Sequence, residues 1–165
     1  MRAVSNIVAA LALVFIAVIM ASIASSIIAS MVSSTARFSP PEIASSKLIL
    51  LVRNAYQGGQ QGYIVRVIAT VVLPTDYPGP LMVCPLIPAF QGNNPVLIYN
   101  PVDISSGGWC RSIPSSAGSA STDFTVFIPV RSGYTYSDPS VWLVGVVDAG
   151  TRSVIHSAAP IFEVP

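Results

Sequence analysis

Apolar and polar positions divide the chain into two parts with different periods. From Ile7 to Val32 there is no charged residue, no proline and no glycine. At ~1.5 Å per helical residue this stretch would span roughly 39 Å, against ~30 Å for the hydrocarbon core of a bilayer. It is too long for the apolar region of a secretory signal. A buried helix of a small domain is rarely apolar on every side for this length. The pattern predicts one apolar helix over 7–38, preceded by a short leader, 1–6.

From Ala17 onward the small residues fall into rows. Ala17, Ala21, Ser25, Ala29 and Ser33 form one row, and Ser22, Ser26, Ser30 and Ser34 form its neighbour. Ile19, Ile23, Ile27 and Met31 form a bulky row. Residues four apart share a helix face, and small residues at that spacing are what packed apolar helices use to touch. The preferred reading is a helix that lies in a membrane first and against copies of itself later. The plainer alternative is a single anchor facing lipid.

Pro40-Pro41 should end any continuous helix, and 39–46 reads as a connector. From Lys47 the period changes to two. Lys47–Arg53 and Tyr63–Leu73, separated by the turn cluster Gln57–Gly62, read as a hairpin. In the second run Tyr63, Val65, Val67, Ala69, Val71 and Leu73 form an apolar face. Pro74–Pro101 is proline-rich and reads as irregular, with short strands near Leu81–Cys84 and Val96–Tyr99. Asp103–Thr122, dense in Ser and Gly, reads as an exposed loop. Asp123–Val130 alternates with Phe124, Val126, Ile128 and Val130 inward. Val141–Asp148, Ser153–His156 and Pro160–Val164 complete the sheet. The expected fold class is α+β: a long N-terminal apolar helix followed by an all-β immunoglobulin-like sandwich over 47–165.

Composition sharpens this picture. Charged residues are 9% of the chain, against roughly 25% for an ordinary soluble protein. A surface this poor in charge suits a molecule whose neighbours cover it. The net charge is +1 with no basic cluster, so nucleic acid is not an expected partner. The two cysteines, Cys84 and Cys110, lie beyond the export segment and suggest one disulfide; two buried free thiols are the alternative.

The catalytic inventory is poor. The single histidine, His156, sits in an alternating strand with no second histidine or acidic cluster to make a metal site. Asp148-Ala149-Gly150 is similar to the catalytic turn of aspartic proteases, but a hairpin turn explains it better. Gly58-Gly59 lacks the Lys-Ser/Thr of a phosphate loop. The expectation is a protein that is not an enzyme and takes no cofactor. Trp109, Tyr134, Tyr136 and Trp142 lie in or beside loops, where packing is a more ordinary use than adhesion.

Arg2-Ala3-Val4-Ser5-Asn6-Ile7-Val8-Ala9-Ala10-Leu11 resembles the N-terminus of archaeal type IV pilins and the related archaeal flagellins. In that superfamily a membrane peptidase cuts a short basic leader from a long apolar helix, after a basic residue followed by Gly or Ala. The resemblance places the cut after Arg2-Ala3, before Val4. It implies a prepilin peptidase and a pilus assembly machinery as partners, the membrane before assembly, and a helical homopolymer afterwards. It also implies a cell-surface location. The hydroxyls Ser112, Ser115, Ser116, Ser119, Ser121 and Thr122 are candidate sites for O-linked sugars, as pili of this kind can bear; a bare loop is the alternative. The function expected is a pilin subunit of an adhesive filament. The competing reading is a single-span protein displaying an extracellular binding domain.

Overall fold

The computed structural model describes Ser39–Pro165, and these residues form one compact unit. The leader and the apolar stretch over 7–38 lie outside the described residues.

Ten strands and two short 3-10 turns account for the regular structure. β1 (Glu42–Gln57) and β2 (Gln60–Leu73) pair antiparallel around Gly58-Gly59. Both glycines have positive φ, +58° and +77°. A two-residue turn with that geometry matches the twist of the flanking strands, and only glycine adopts it cheaply. β3 (Leu81–Gln91), β4 (Asn94–Ile98), β5 (Arg111–Ile113) and β6 (Gly118–Pro129) follow, then β7 (Thr135–Tyr136), β8 (Leu143–Asp148), β9 (Ser153–Ala158) and β10 (Ile161–Glu163). One sheet has the order β10-β1-β2-β6; the other has β4-β3-β8-β9, with β5 and β7 also on β3. The chain changes sheet after β2, β5, β6 and β9.

The two sheets share one core. Leu48 and Leu50 of β1, Val65, Val67, Ala69 and Val71 of β2, and Phe124, Val126 and Ile128 of β6 meet Leu81, Val83 and Ile87 of β3 and Val144 and Val146 of β8. Alternation along each strand decides this: every second residue of β2 from Val65 to Leu73 is buried. A smaller cluster of Cys84, Leu86, Cys110 and Val147 lies on the far side of the second sheet.

Several expectations are corrected. The α+β class is replaced by a mostly β one. The described residues hold no helix of seven or more residues, no apolar helix, and none long and apolar enough to cross a membrane. The expected immunoglobulin pattern has a disulfide between the sheets, whereas the bridge found here lies within one. The connector read over 39–46 is shortened, because β1 already begins at Glu42 and pairs Glu42–Ser46 with Ala69–Val72. A polar serine run carries no strand signal of its own; the long β2 supplies the partner.

The irregular reading of Pro74–Pro101 gives way to an eleven-residue β3. Pro85 falls in the gap between β5 and β4 on one edge of β3, and Pro88 in the gap between β8 and β7 on the other, where no strand needs their missing N–H groups. The loop read over Asp103–Thr122 holds a 3-10 turn at Ile104–Ser106, all of β5, and the start of β6. Val130, expected inward, lies beyond the end of β6 and is exposed.

Candidate functional site

Cys84 and Cys110 are joined by a disulfide with Cα atoms 4.4 Å apart. The β3/β5 register explains it. Leu81 faces Ile113 and Val83 faces Arg111, so the next position brings Cys84 opposite Cys110. Both are fully buried. The bridge ties the excursion through residues 100–110 onto the middle strand of the second sheet.

Asp103 organises that excursion. Its Oδ1 accepts from Ser105 N (3.0 Å) and Ser105 Oγ (2.8 Å), and its Oδ2 accepts from Ser112 N (3.0 Å) and Ser112 Oγ (2.8 Å). These donors, led by the Ser105 and Ser112 amides, hold the carboxyl well below the usual carboxylate range. Sequence reasoning missed this clasp. The Asp-x-Ser spacing, an ordinary capping signal, was its one visible trace.

The hydroxyl run does not form one exposed array. Thr122 is buried in β6. Ser115 Oγ donates to Gly79 O (2.7 Å), Ser112 is engaged by Asp103, and Ser121 Oγ lies 3.1 Å from Thr70 Oγ1. Ser112, Ser116, Ser119 and Ser121 are exposed; Ser116 and Ser119 carry no side-chain hydrogen bond among the described residues. The processing residues Arg2, Ala3 and Val4 lie outside the described residues, as do Ala17, Ala21, Ser22, Ser25, Ser26, Ala29, Ser30 and Ser33.

The aromatics are structural. Trp142 is buried, donates Nε1–H to Ser137 O (3.0 Å), and meets Tyr63 edge-on at 5.2 Å and Tyr136 at 6.5 Å. Trp109 is buried beneath the Arg131 guanidinium at 5.1 Å. Asp148 accepts from Tyr77 Oη (2.9 Å), Gly150 N (2.8 Å) and Thr151 N (3.1 Å). The Thr151 amide is the largest influence holding its carboxyl below the usual range; the Gly150 and Thr151 donors serve the β8–β9 turn, and Tyr77 ties it to the segment before β3. Burial, then Asp148, pushes the Tyr77 phenol up. Among the described residues no group of three or more His, Cys, Asp or Glu is placed to hold a metal.

The charges are spent within the molecule. Arg66 forks onto Asp123 (Nε–Oδ1 2.8 Å), Lys47 pairs with Glu163 (2.6 Å) and Arg53 with Asp138 (3.3 Å). Asp76 accepts from Ala117 N (2.6 Å). Among the described residues only Glu42, Arg111 and Arg152 have neither an ion pair, an aromatic partner nor a side-chain hydrogen bond of their own. Two of the pairs sit on the outer face of the first sheet, where the register sets Lys47 beside Ile68 and Ile161, and Arg66 beside Ile49 and Thr125. Ile64 and Phe127 extend this face.

A cleft of about 460 Å³ opens beside β6, lined by Gln57, Ile64, Ile104, Gly107, Gly108, Thr125, Val126 and Phe127. It contains no titratable group, which leaves it without acid–base chemistry of its own. Compared with known protein families, curated proteins and solved structures, the chain matches none.

Proposed function

We propose that this chain is the structural subunit of an extracellular filament of the type IV pilin kind, serving attachment to surfaces or cells. The observation that carries the reading is the sparse and partly self-paired charge of the β domain. An isolated extracellular domain relies on exposed charge for solubility; this chain is only 9% charged, and ion pairs among the described residues take up Lys47, Arg53, Arg66, Asp123, Asp138 and Glu163, so apolar and hydroxyl side chains make up much of the outside. With few ions on it, such a surface carries little of the desolvation cost that charged groups impose when neighbours cover them. The uncharged stretch from Ile7 to Val32, with its rows of small residues, supplies the segment through which copies associate. Before assembly that segment is held in the membrane, and prepilin peptidase and the assembly machinery act on it there.

Electron microscopy of sheared cell-surface material, with identification of the subunit by mass spectrometry, tests the reading. Filaments composed of this chain, beginning at Val4, are expected. Their absence from its native cells would favour a single-span binding protein instead. Ala21→Leu gives the finer test. Three added heavy atoms in a tight contact cost ~1–3 kcal/mol, whereas leucine in lipid costs nothing. Ala21→Leu should reach the membrane normally and lower filament yield, while Ile19→Leu should be nearly silent.

A further inference from the structure

A sheet edge presents unpaired N–H and C=O groups to which another chain can add, and proteins that must stay apart blunt their edges. The outer strands of the two sheets are β10, β6, β4 and β9. Three of them are blunted. β10 has three residues, set between Pro160 and Pro165. β4 carries Pro95 within it. β9 is interrupted by a bulge opposite Val146–Val147. β6 is different. It runs twelve residues, has no proline before its last position and no Lys or Arg, and its one charge, Asp123, is neutralised by Arg66.

The direction of its backbone groups follows from one bond. Val130 N donates to Gln61 O at 2.9 Å. In an antiparallel pair these bonds recur at every second residue. Phe124, Val126 and Ile128 therefore spend their N–H and C=O groups on β2, and Asp123, Thr125 and Phe127 turn theirs to the open side. The uncharged cleft lies there, beside Thr125 and Phe127. Its lining also includes Gly107 and Gly108; a Cβ at Gly107 would meet nothing within 4 Å, so this part of the wall leaves space beside the backbone. A row of alternate outward amides beside an uncharged cleft fits an extended, uncharged polypeptide.

We propose that the β6 edge is completed, in the assembled protein, by an extended segment of a second copy of this chain, hydrogen-bonded to Thr125 and Phe127. This rests on the filament reading. Among the described outer strands edge protection is withheld on this one alone, and in a homopolymer the neighbour at high local concentration is another copy. A strand from one copy on a different surface of the next is a heterologous contact, which propagates rather than closes.

Amide hydrogen exchange on sheared cell-surface material, against the full chain dispersed as monomer in detergent, decides it. Thr125 and Phe127 should exchange freely in the monomer and about a hundredfold more slowly in the assembly, as for amides bonded in a stable ladder. Equal rates in the two samples would overturn the proposal even if filaments are abundant. If no filament is found, the same comparison on the membrane fraction still decides it: protection there upholds pairing between copies, and free exchange refutes it. Thr125→Pro removes the outward donor and spares the β2 ladder. Thr125→Lys, at an exposed position, puts a charge on the edge without touching the backbone. Either should lower assembled yield with the monomer's melting temperature unchanged, and full assembly of Thr125→Lys would count against the proposal.

Discussion

The disulfide offers the sharpest test of what holds the β domain together. Cys84 and Cys110 are 26 positions apart. In the chain-entropy account, closing a loop of that length removes about 12 cal/mol/K from the unfolded ensemble, or ~3.5 kcal/mol at room temperature. Both sulfurs lie in a fully buried apolar cluster with Leu86 and Val147, so alanine is the right replacement, since serine would bury an unpaired hydroxyl. For a domain of this size ~3.5 kcal/mol corresponds to a fall of roughly 10–20 °C in melting temperature. Cys84→Ala, Cys110→Ala and the double variant, melted in detergent without reductant, form a thermodynamic cycle. Each single change already abolishes the bridge, so each should lose most of the ~3.5 kcal/mol and the double should lose little more. Additive losses would refute the reasoning, because they would mean that two independently packed thiols, and no crosslink, stabilise the fold. Alkylation of both cysteines in unreduced, unfolded protein would refute it directly.

Other outcomes follow from the same structure. Asp103, Asp123, Asp138 and Asp148 all have folded-state pKa values below the ordinary one. Their stabilisation is fully present above the unfolded value of about 3.9 and is lost as pH falls through the folded values. Denaturant midpoints should therefore be flat from neutrality down to about pH 5 and decline below about pH 4. Asp103→Asn should be less stable at neutral pH, with the gap closing in acid; a constant gap would show that the clasp is not electrostatic. A Cβ at Gly108 would fall on the Val102 backbone and side chain, so Gly108→Ala should cost about 1–3 kcal/mol in urea titrations, as overpacked sites do. Trp142→Ala should cost ~3–5 kcal/mol by the same measurement, because it empties the contact with Tyr63 and Tyr136 and orphans Ser137 O.

How far the sequence reaches depends on whether a signal is local. The alternation of Tyr63–Leu73 named the buried face of β2 because burial on a strand repeats every second residue. Gly58-Gly59 marked the hairpin because few residues tolerate two successive positive φ values. The scarcity of charge was a count, and a surface with few charged side chains is its direct consequence. Long-range pairing was not legible. The serines of Glu42–Ser46 belong to a strand only because β2 lies beside them. Pro85 and Pro88 look like strand breakers until each is seen to fall in a gap between two partners of β3. Six hydroxyls contiguous in sequence separate into buried, bonded and free ones, because β5 and β6 enter different sheets. Asp103 gains half of its donors from Ser112, nine positions away. The even number of cysteines suggested a bridge, but only the β3/β5 register brings Cys84 and Cys110 face to face. An unblunted edge likewise exists only once the order of strands is known. Local chemistry chose the strands and their faces; tertiary pairing, where each backbone N–H and C=O must find a partner, chose their neighbours and left the β6 edge open.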